Sequence, residues 1–481
     1  MRDYGLEGAC AYVQVRDNIP FLKEQKDVAY TALLLDEDIH RAYVDEKLDI
    51  EYLRKLEHDI GNPTLWQFIG ADRVIRFGQL VREYPYAEPL YEHHDLMRLA
   101  QAYAKRITEF LDKEKPDFVF MPQPGGLGTL LLEALAKKRG IPVQMIIITG
   151  LTERTCVSDG YAQLTGVEKI LSEGTLKESH CAEARRLIQE FRDKPRPYSH
   201  VYDSQYTQYT RKRQLDFLTP SGLYRSVVWG FPLVVARWFK NSGARDDYTT
   251  TRPWHYLFDR VVRKFRNAFG YADLYDAYDP HAEYAFFPLH LEPEIALLVQ
   301  APYAKNQIEI ADMIAQSLPV GMLLYVKEHP LMVGYRTRAF YKALKNTPNV
   351  RLLDPSLKGV DVMQNSKLVF TIAGSSGFEA ARLKKPVISF GEFYYNSLSC
   401  VKRSTEPEKL AALIREQLNK NMFDDEELEK FVAAILQDSA RVDFAHLWAY
   451  VHDVPKMREE LKDLIRVVAQ KVGLVSSASH R

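Results

Sequence analysis

Leu368-Val369-Phe370-Thr371-Ile372-Ala373-Gly374-Ser375-Ser376-Gly377-Phe378-Glu379-Ala380-Ala381-Arg382-Leu383 reads as an apolar strand, a Gly/Ser turn and a helix in direct succession. That order belongs to an α/β protein with a parallel sheet. Gly374 and Gly377 let the chain turn tightly. A helix start offers unpaired N–H groups and partial positive charge, so it stabilises phosphate. Ser375 and Ser376 add hydroxyl donors. A capping box, Ser376-x-x-Glu379, accounts for the same residues without a ligand, so both readings stay open here.

Two further strand ends share this character. Leu323-Leu324-Tyr325-Val326 runs into Lys327-Glu328-His329-Pro330, three consecutive ionisable residues closed by a proline that keeps His329 out of a helix. Strand alternation points Lys327 and His329 to one side, which suits an anion. Tyr284-Ala285-Phe286-Phe287-Pro288-Leu289 leads into His290-Leu291-Glu292-Pro293-Glu294, where Glu294 opens a helix and Glu292 has less structural reason to be there. In an open α/β sheet, ligands bind at the carboxyl ends of strands. Three such ends describe a site for a phosphate-bearing ligand.

Earlier in the chain, Pro116-Asp117 opens the strand Phe118–Met121. The loop Pro122-Gln123-Pro124-Gly125-Gly126-Leu127-Gly128, a helix over 129–138 and the strand 141–148 follow, making one βαβ unit. The glycine spacing is not a dinucleotide fingerprint, and close helix–sheet packing or an acceptor-sugar loop suits it better. After that strand come Glu153 and Arg154, expected on the cleft side. Asp36-Glu37-Asp38 follows the apolar run Val28–Leu35; a metal–nucleotide role is outweighed by a solvated helix start.

At 481 residues the chain is too long for one ordinary core. Lys+Arg and Asp+Glu both number 64, so no global field draws it to nucleic acid. The four cysteines are scattered without metal-ligand spacing, which suits a reduced, cytoplasmic setting. No signal peptide or membrane-spanning run is read. From Pro195-Arg196-Pro197 the character changes: residues 211–266 hold twelve Lys/Arg (Lys240, Arg245 and Arg252 among them) against Asp216, Asp246, Asp247 and Asp259, mixed with Trp and Phe. That mixture on helices suits the surface of an anionic membrane or, more plainly, an ordinary helical subdomain.

The motifs Phe287-Pro288-Leu289-His290-x-Glu292-Pro293-Glu294, Val326-Lys327-Glu328-His329-Pro330, Asn349-Val350-Arg351-Leu352-Leu353-Asp354-Pro355, Gly374–Ala380 and Lys385-Pro386-Val387-Ile388-Ser389-Phe390-Gly391 resemble the capsule polysaccharide biosynthesis family of bacterial surface-carbohydrate proteins. The resemblance covers 285–395, is weaker over 50–175 and is absent over 200–275. It implies a GT-B glycosyltransferase fold. The His-Pro and Ser-Ser pairs are similar to motifs of bacterial sialyltransferases and Kdo transferases that hold the phosphate of a CMP-sugar. That likeness implies His329, Ser375 and Ser376 on the donor phosphate and Glu379 on the donor ribose. The acidic motif that carries the base in those sialyltransferases has no counterpart here, so the base is unassigned.

The expected fold is therefore α/β and GT-B-like: two Rossmann-like domains with separate cores facing a cleft, plus a helical insertion. The expected bounds are 1–195 (acceptor domain), 196–282 (basic, aromatic insertion), 283–400 (nucleotide-sugar domain) and 401–481 (helices packing back on the first domain). The expected function is a glycosyltransferase of capsule or other surface polysaccharide biosynthesis, cytoplasmic or peripheral on the inner face of the cytoplasmic membrane. It would use a nucleotide sugar, CMP-sugar among the candidates, a glycan or glycolipid acceptor, and no cofactor or metal. His329 and Glu292 are the catalytic candidates; Lys327, Glu328, His290, Gly374, Ser375, Ser376, Gly377 and Glu379 are the binding candidates. Two alternatives stand: a nucleotide-sugar 2-epimerase of the same fold, and a non-catalytic membrane-associated assembly protein.

Overall fold

The computed structural model describes residues 4–6, 8–26, 28–62, 64–77, 91–196, 210–239, 253–419, 423–444, 447 and 453–475. Its largest sheet lies in the C-terminal half and contains β6 (Tyr284–Pro288), β7 (Leu323–Lys327), β8 (Val350–Leu353), β9 (Leu368–Thr371), β10 (Val387–Ser389) and β11 (Val401–Arg403). Across the sheet the order is β11-β10-β9-β6-β7-β8, every neighbouring pair parallel. The chain thus winds outward in one direction from β6 and in the other from β9. This is the doubly wound order of a Rossmann-like domain, whose crevice opens where the winding reverses. Phe286, Phe287, Leu324, Val326, Val369 and Phe370 are all buried. Coverage on both faces is why these strands read as unbroken apolar runs rather than alternating ones.

The N-terminal half has smaller sheets. β1 (Ala9–Val13) and β2 (Tyr30–Leu35) pair in parallel. β3 (Val119–Pro122) and β4 (Val143–Ile148) are parallel, and β5 (Thr155–Ser158) runs antiparallel to β4. The βαβ unit expected around the Gly-rich loop is present, with helix Leu127–Lys138 between β3 and β4. The fold is α/β, with parallel βα units in both halves and a Rossmann-like sheet in the C-terminal one.

The expectation of two separate cores is corrected. One apolar cluster runs from Leu99 and Ile107 of helix His93–Glu114, through Leu131 and Ile147, to Phe378, Tyr394 and Phe431. Phe431 belongs to helix Asp425–Asp438, which packs on helices Thr165–Glu173 and Glu178–Asp193 of the N-terminal half. The Tyr394 hydroxyl also donates to the Thr149 carbonyl across the junction.

Between the halves, helices Pro220–Phe239 and Pro253–Phe269 lie side by side and antiparallel: Lys264 sits over Phe217, Arg260 over Trp229, and Leu257 touches Gly230. Lys240, Arg245, Asp246, Asp247, Arg252 and Pro197 lie outside the described residues. Among the described residues, no helix is long and apolar enough to cross a membrane.

Candidate functional site

A cavity of about 400 Å3 opens at the carboxyl ends of β6 and β9, where the winding of the sheet reverses. Its wall includes His290, Glu294 and Gln300 after β6, His329 after β7, and Ala373, Gly374, Ser375 and Ser376 after β9. Gln123, from the Gly-rich loop after β3, contributes the N-terminal side, and Gln300 Nε2 lies 3.5 Å from Gln123 Oε1.

Helix Ser375–Arg382 begins at this wall with Gly374 as its N-cap and no side chain capping it. The capping box is therefore not formed. Glu379 instead accepts from the Ser375 hydroxyl at 3.3 Å, and the Ser376 hydroxyl donates to Thr371 Oγ1 at 3.0 Å. Among the described residues no acceptor pairs with the N–H groups of Ser375 and Ser376. Such a terminus can receive an anion.

The two glycines serve a purpose different from the tight turn expected of them, for neither has a positive φ. A Cβ on Gly374 would lie 2.8 Å from His290 Nε2, and one on Gly377 would lie 2.5 Å from the Tyr395 hydroxyl. They permit close approach of neighbours that hold the loop. The Tyr395 hydroxyl donates to the Gly374 carbonyl at 2.5 Å. Thr371 Oγ1 accepts from Gly374 N–H at 3.2 Å, and His290 Nε2 accepts from Ala373 N–H at 3.4 Å. Because His290 Nε2 is an acceptor there, its proton sits on Nδ1. Burial, reinforced by the Arg336 charge, pushes the His290 pKa down to about 4. His290 is thus a neutral prop for the loop near pH 7.

His329 Nδ1 accepts from Leu331 N–H at 3.2 Å, capping the short turn Pro330–Met332. That leaves the ring's proton on Nε2, as a donor. His329 lines the cavity; Lys327 and Glu328 do not. The Lys327 amine is buried, donating to the Glu328 carbonyl at 3.3 Å, and burial lowers its pKa to about 8. The pairing of Lys327 with His329 at the cavity wall is corrected: the lysine lies beneath the surface, where the following residue's backbone holds it.

Glu328 is likewise corrected from ligand contact to framework. Its carboxylate, fully buried, takes Arg336 Nη1 at 2.9 and 2.8 Å, the Tyr341 hydroxyl at 2.9 Å and His329 N–H at 2.7 Å. Arg336 Nη2 also donates to the His290 carbonyl at 2.8 Å and lies 3.4 Å from Glu292. Glu292 accepts from Gln307 Nε2 and lines a different cavity of about 340 Å3, against helix Pro253–Phe269. The loop after β6 thus presents His290 to one cavity and Glu292 to the other, so Glu292 does not join His329 at one wall. Glu379 is buried on the first turns of its helix.

In the N-terminal half, the first N–H of helix Leu127–Lys138 is already taken by a carboxylate: Asp72 Oδ2 accepts from Leu127 N–H at 2.8 Å. Asp36 and Glu37 are buried, against the expectation of a solvated helix start. Asp36 accepts from the Tyr12 and Tyr103 hydroxyls, and burial raises its pKa to about 7. Arg154 is buried in an ion pair with Glu183 at 2.8 Å, and Glu153 is exposed at φ +59°. Among the described residues, no three His, Cys, Asp or Glu side chains group as metal ligands.

Sequence reasoning missed Thr371, Arg336 and Tyr395. Thr371 is the last residue of a buried strand, and a threonine there carries no sign of its role. Arg336 lies six residues beyond the Lys-Glu-His-Pro motif; a buried Glu328 requires a cation, but only the fold says which one.

The doubly wound sheet and the open helix start at its switch point define an α/β protein with a Rossmann-like C-terminal half. Residues 254–470 match the model of the family described as capsule polysaccharide biosynthesis protein. Protein FixF of Sinorhizobium fredii is 25% identical over 134 residues, 27% of this chain and 32% of FixF. The match therefore spans about a third of that relative's length. Among solved structures, the beta Kdo 2,7 transferase KpsC of Thermosulfurimonas dismutans aligns at 12% identity over 69% of this chain and 80% of its own, TM-score 0.37. The UDP-GlcNAc 2-epimerase of Methanocaldococcus jannaschii, in complex with UDP-GlcNAc and UDP, aligns at 16% identity over 73% and 84%, TM-score 0.25. At these TM-scores neither likeness carries a residue role to this chain.

Proposed function

We propose that the chain is a glycosyltransferase of capsule or other surface polysaccharide assembly, taking a sugar from a nucleotide-activated donor to a glycan or glycolipid acceptor. The observation that carries this reading is the uncapped start of helix Ser375–Arg382 opening on a cavity at the sheet's switch point, within a stretch matching the capsule family. The donor phosphate would take the N–H groups of Ser375 and Ser376 and the Nε2–H of His329. These donors are fixed in place before the reaction, so they would stabilise negative charge as it grows on the departing phosphate. Glu379 is the residue proposed for the donor ribose. Gln123 brings the N-terminal half to the same wall, the side from which an acceptor would enter. The proposed setting is the cytoplasm or the inner face of the cytoplasmic membrane, and the domain bounds stated from the sequence are part of this reading.

The test has two stages. A thermal-shift panel of CMP, UDP, GDP and TDP identifies the nucleotide; each candidate sugar nucleotide is then incubated with and without acceptor. Transfer that requires acceptor supports the reading. Release or epimerisation of sugar without acceptor makes it an epimerase, and no consumption with every donor overturns catalysis.

A further inference from the structure

The helix pair Pro220–Phe239 and Pro253–Phe269 carries an apolar surface that the described residues leave exposed. On the second helix Phe258, Val261, Phe265 and Phe269 recur at helical spacing on one stripe, each at least half exposed. On the first, Leu223, Val227 and Phe231 form a matching stripe, again more than half exposed. A soluble monomer rarely leaves two adjacent stripes of large apolar side chains in water without a use for them.

The cations of the same helices divide into two groups. Those of the second helix face inward: Arg266 donates to the Tyr335 carbonyl at 2.5 Å, Arg263 pairs with Asp259 at 2.8 Å, and Lys264 donates to Ser226 at 2.6 Å. Near the first, Lys212 stays exposed, and Arg225, also exposed, pairs with Asp216 at 2.5 Å. Residues 211–266 as a whole carry twelve Lys/Arg against four Asp, in a chain whose total balance is zero. A surplus of that kind, counted over the segment, disfavours association with a second copy of it and complements an anionic surface.

We propose that these two stripes form a membrane-docking surface that inserts its apolar side chains shallowly into an anionic bilayer, with exposed cations meeting the headgroups. Insertion is led by apolar burial and assisted by charge, because the second helix's basic residues are engaged within the fold. The inference adds a partner surface to the proposed function without depending on it: vesicle binding requires neither donor nor acceptor, so either can fail alone.

The experiment is sedimentation of the full chain with phosphatidylcholine vesicles, with and without phosphatidylglycerol, comparing wild type with Phe265→Asp, Val227→Asp and Lys212→Glu. All three side chains are solvent-facing, and circular dichroism checks that each variant is folded. Wild type is expected to sediment with the anionic vesicles and weakly with the neutral ones. Each Asp variant should bind about tenfold less or weaker, and Lys212→Glu should lose less. Equal binding to both vesicle types, unchanged binding of the Asp variants, or no vesicle binding at all overturns the proposal. So does light scattering that shows a dimer abolished by Phe265→Asp in protein that ignores vesicles, since the face then meets a second copy.

Discussion

Arg336 Nη1 sits 2.9 and 2.8 Å from the two carboxylate oxygens of Glu328, and the same carboxylate holds the backbone N–H of His329. The ion pair is almost wholly buried, so each charge depends on the other. Arg336→Ala leaves a buried carboxylate uncompensated and should cost about 3–5 kcal/mol, read by urea denaturation. If Glu328 instead served the ligand, Arg336→Ala would leave the urea midpoint unchanged.

Titration with the preferred nucleotide checks the phosphate site. His329→Ala should lose about 1.5–3 kcal/mol of binding, the range for a hydrogen bond to a charged group. Ser376→Ala should lose less, because its hydroxyl is already spent on Thr371. Glu379→Gln should weaken the nucleotide while leaving inorganic phosphate unchanged. Wild-type affinity in all three variants would place the donor elsewhere.

Gly374→Ala tests whether the loop needs its close approach to His290. The new Cβ would stand 2.8 Å from Nε2, a separation that real Cβ atoms essentially never show. Relief by shifting the loop or the ring should cost about 1–3 kcal/mol of stability, with a matching fall in nucleotide affinity. Calorimetry and nucleotide titration measure the two halves of this prediction.

Two buried groups make stability respond to pH in opposite senses. His290 is held at about 4, below the ordinary 6.5, so the unfolded chain takes a proton that the folded one refuses. Its contribution is present above pH 6.5 and is lost as pH falls toward 4. Asp36 is held at about 7, above the ordinary 3.8, so its contribution is present at acid pH and is lost as pH rises toward 7. Between these limits the two slopes offset each other. His290→Gln should therefore expose a decline of stability toward neutral pH, and Asp36→Asn a decline toward acid. Urea midpoints across that range decide it; parallel profiles for wild type and both variants would remove the assignment.

Much of the C-terminal half was legible because its strands are covered on both faces: Phe286, Phe287, Val369 and Phe370 form runs with no polar interruption. The ends of those runs located the cavity. Adjacency in sequence could not say which flank of a loop a side chain occupies, so Glu292 and Glu328 were grouped with His329. Lys327 and His329 do alternate as a strand requires, yet the chain leaves the strand after Lys327 and the alternation lapses there. Asp36 resembled a solvated helix start because nothing local announces Tyr12 and Tyr103, which arrive from β1 and helix His93–Glu114. Separate cores were expected of two Rossmann-like halves facing a cleft; the cluster that joins the halves runs through helices, above all Asp425–Asp438.

Thr155, at the start of β5, exchanges both backbone hydrogen bonds with Ala440, and its hydroxyl donates to the Val442 carbonyl at 2.8 Å. The edge of the N-terminal sheet is thus finished by residues 285 positions later in the chain. A nascent N-terminal half must wait, with Thr155 unpaired on that side, until Ala440 has emerged. Closing so long a loop is slow, and unpaired strand edges invite association with other chains in the meantime. Shortening the chain before Ala440 would therefore damage a sheet 285 residues away in sequence.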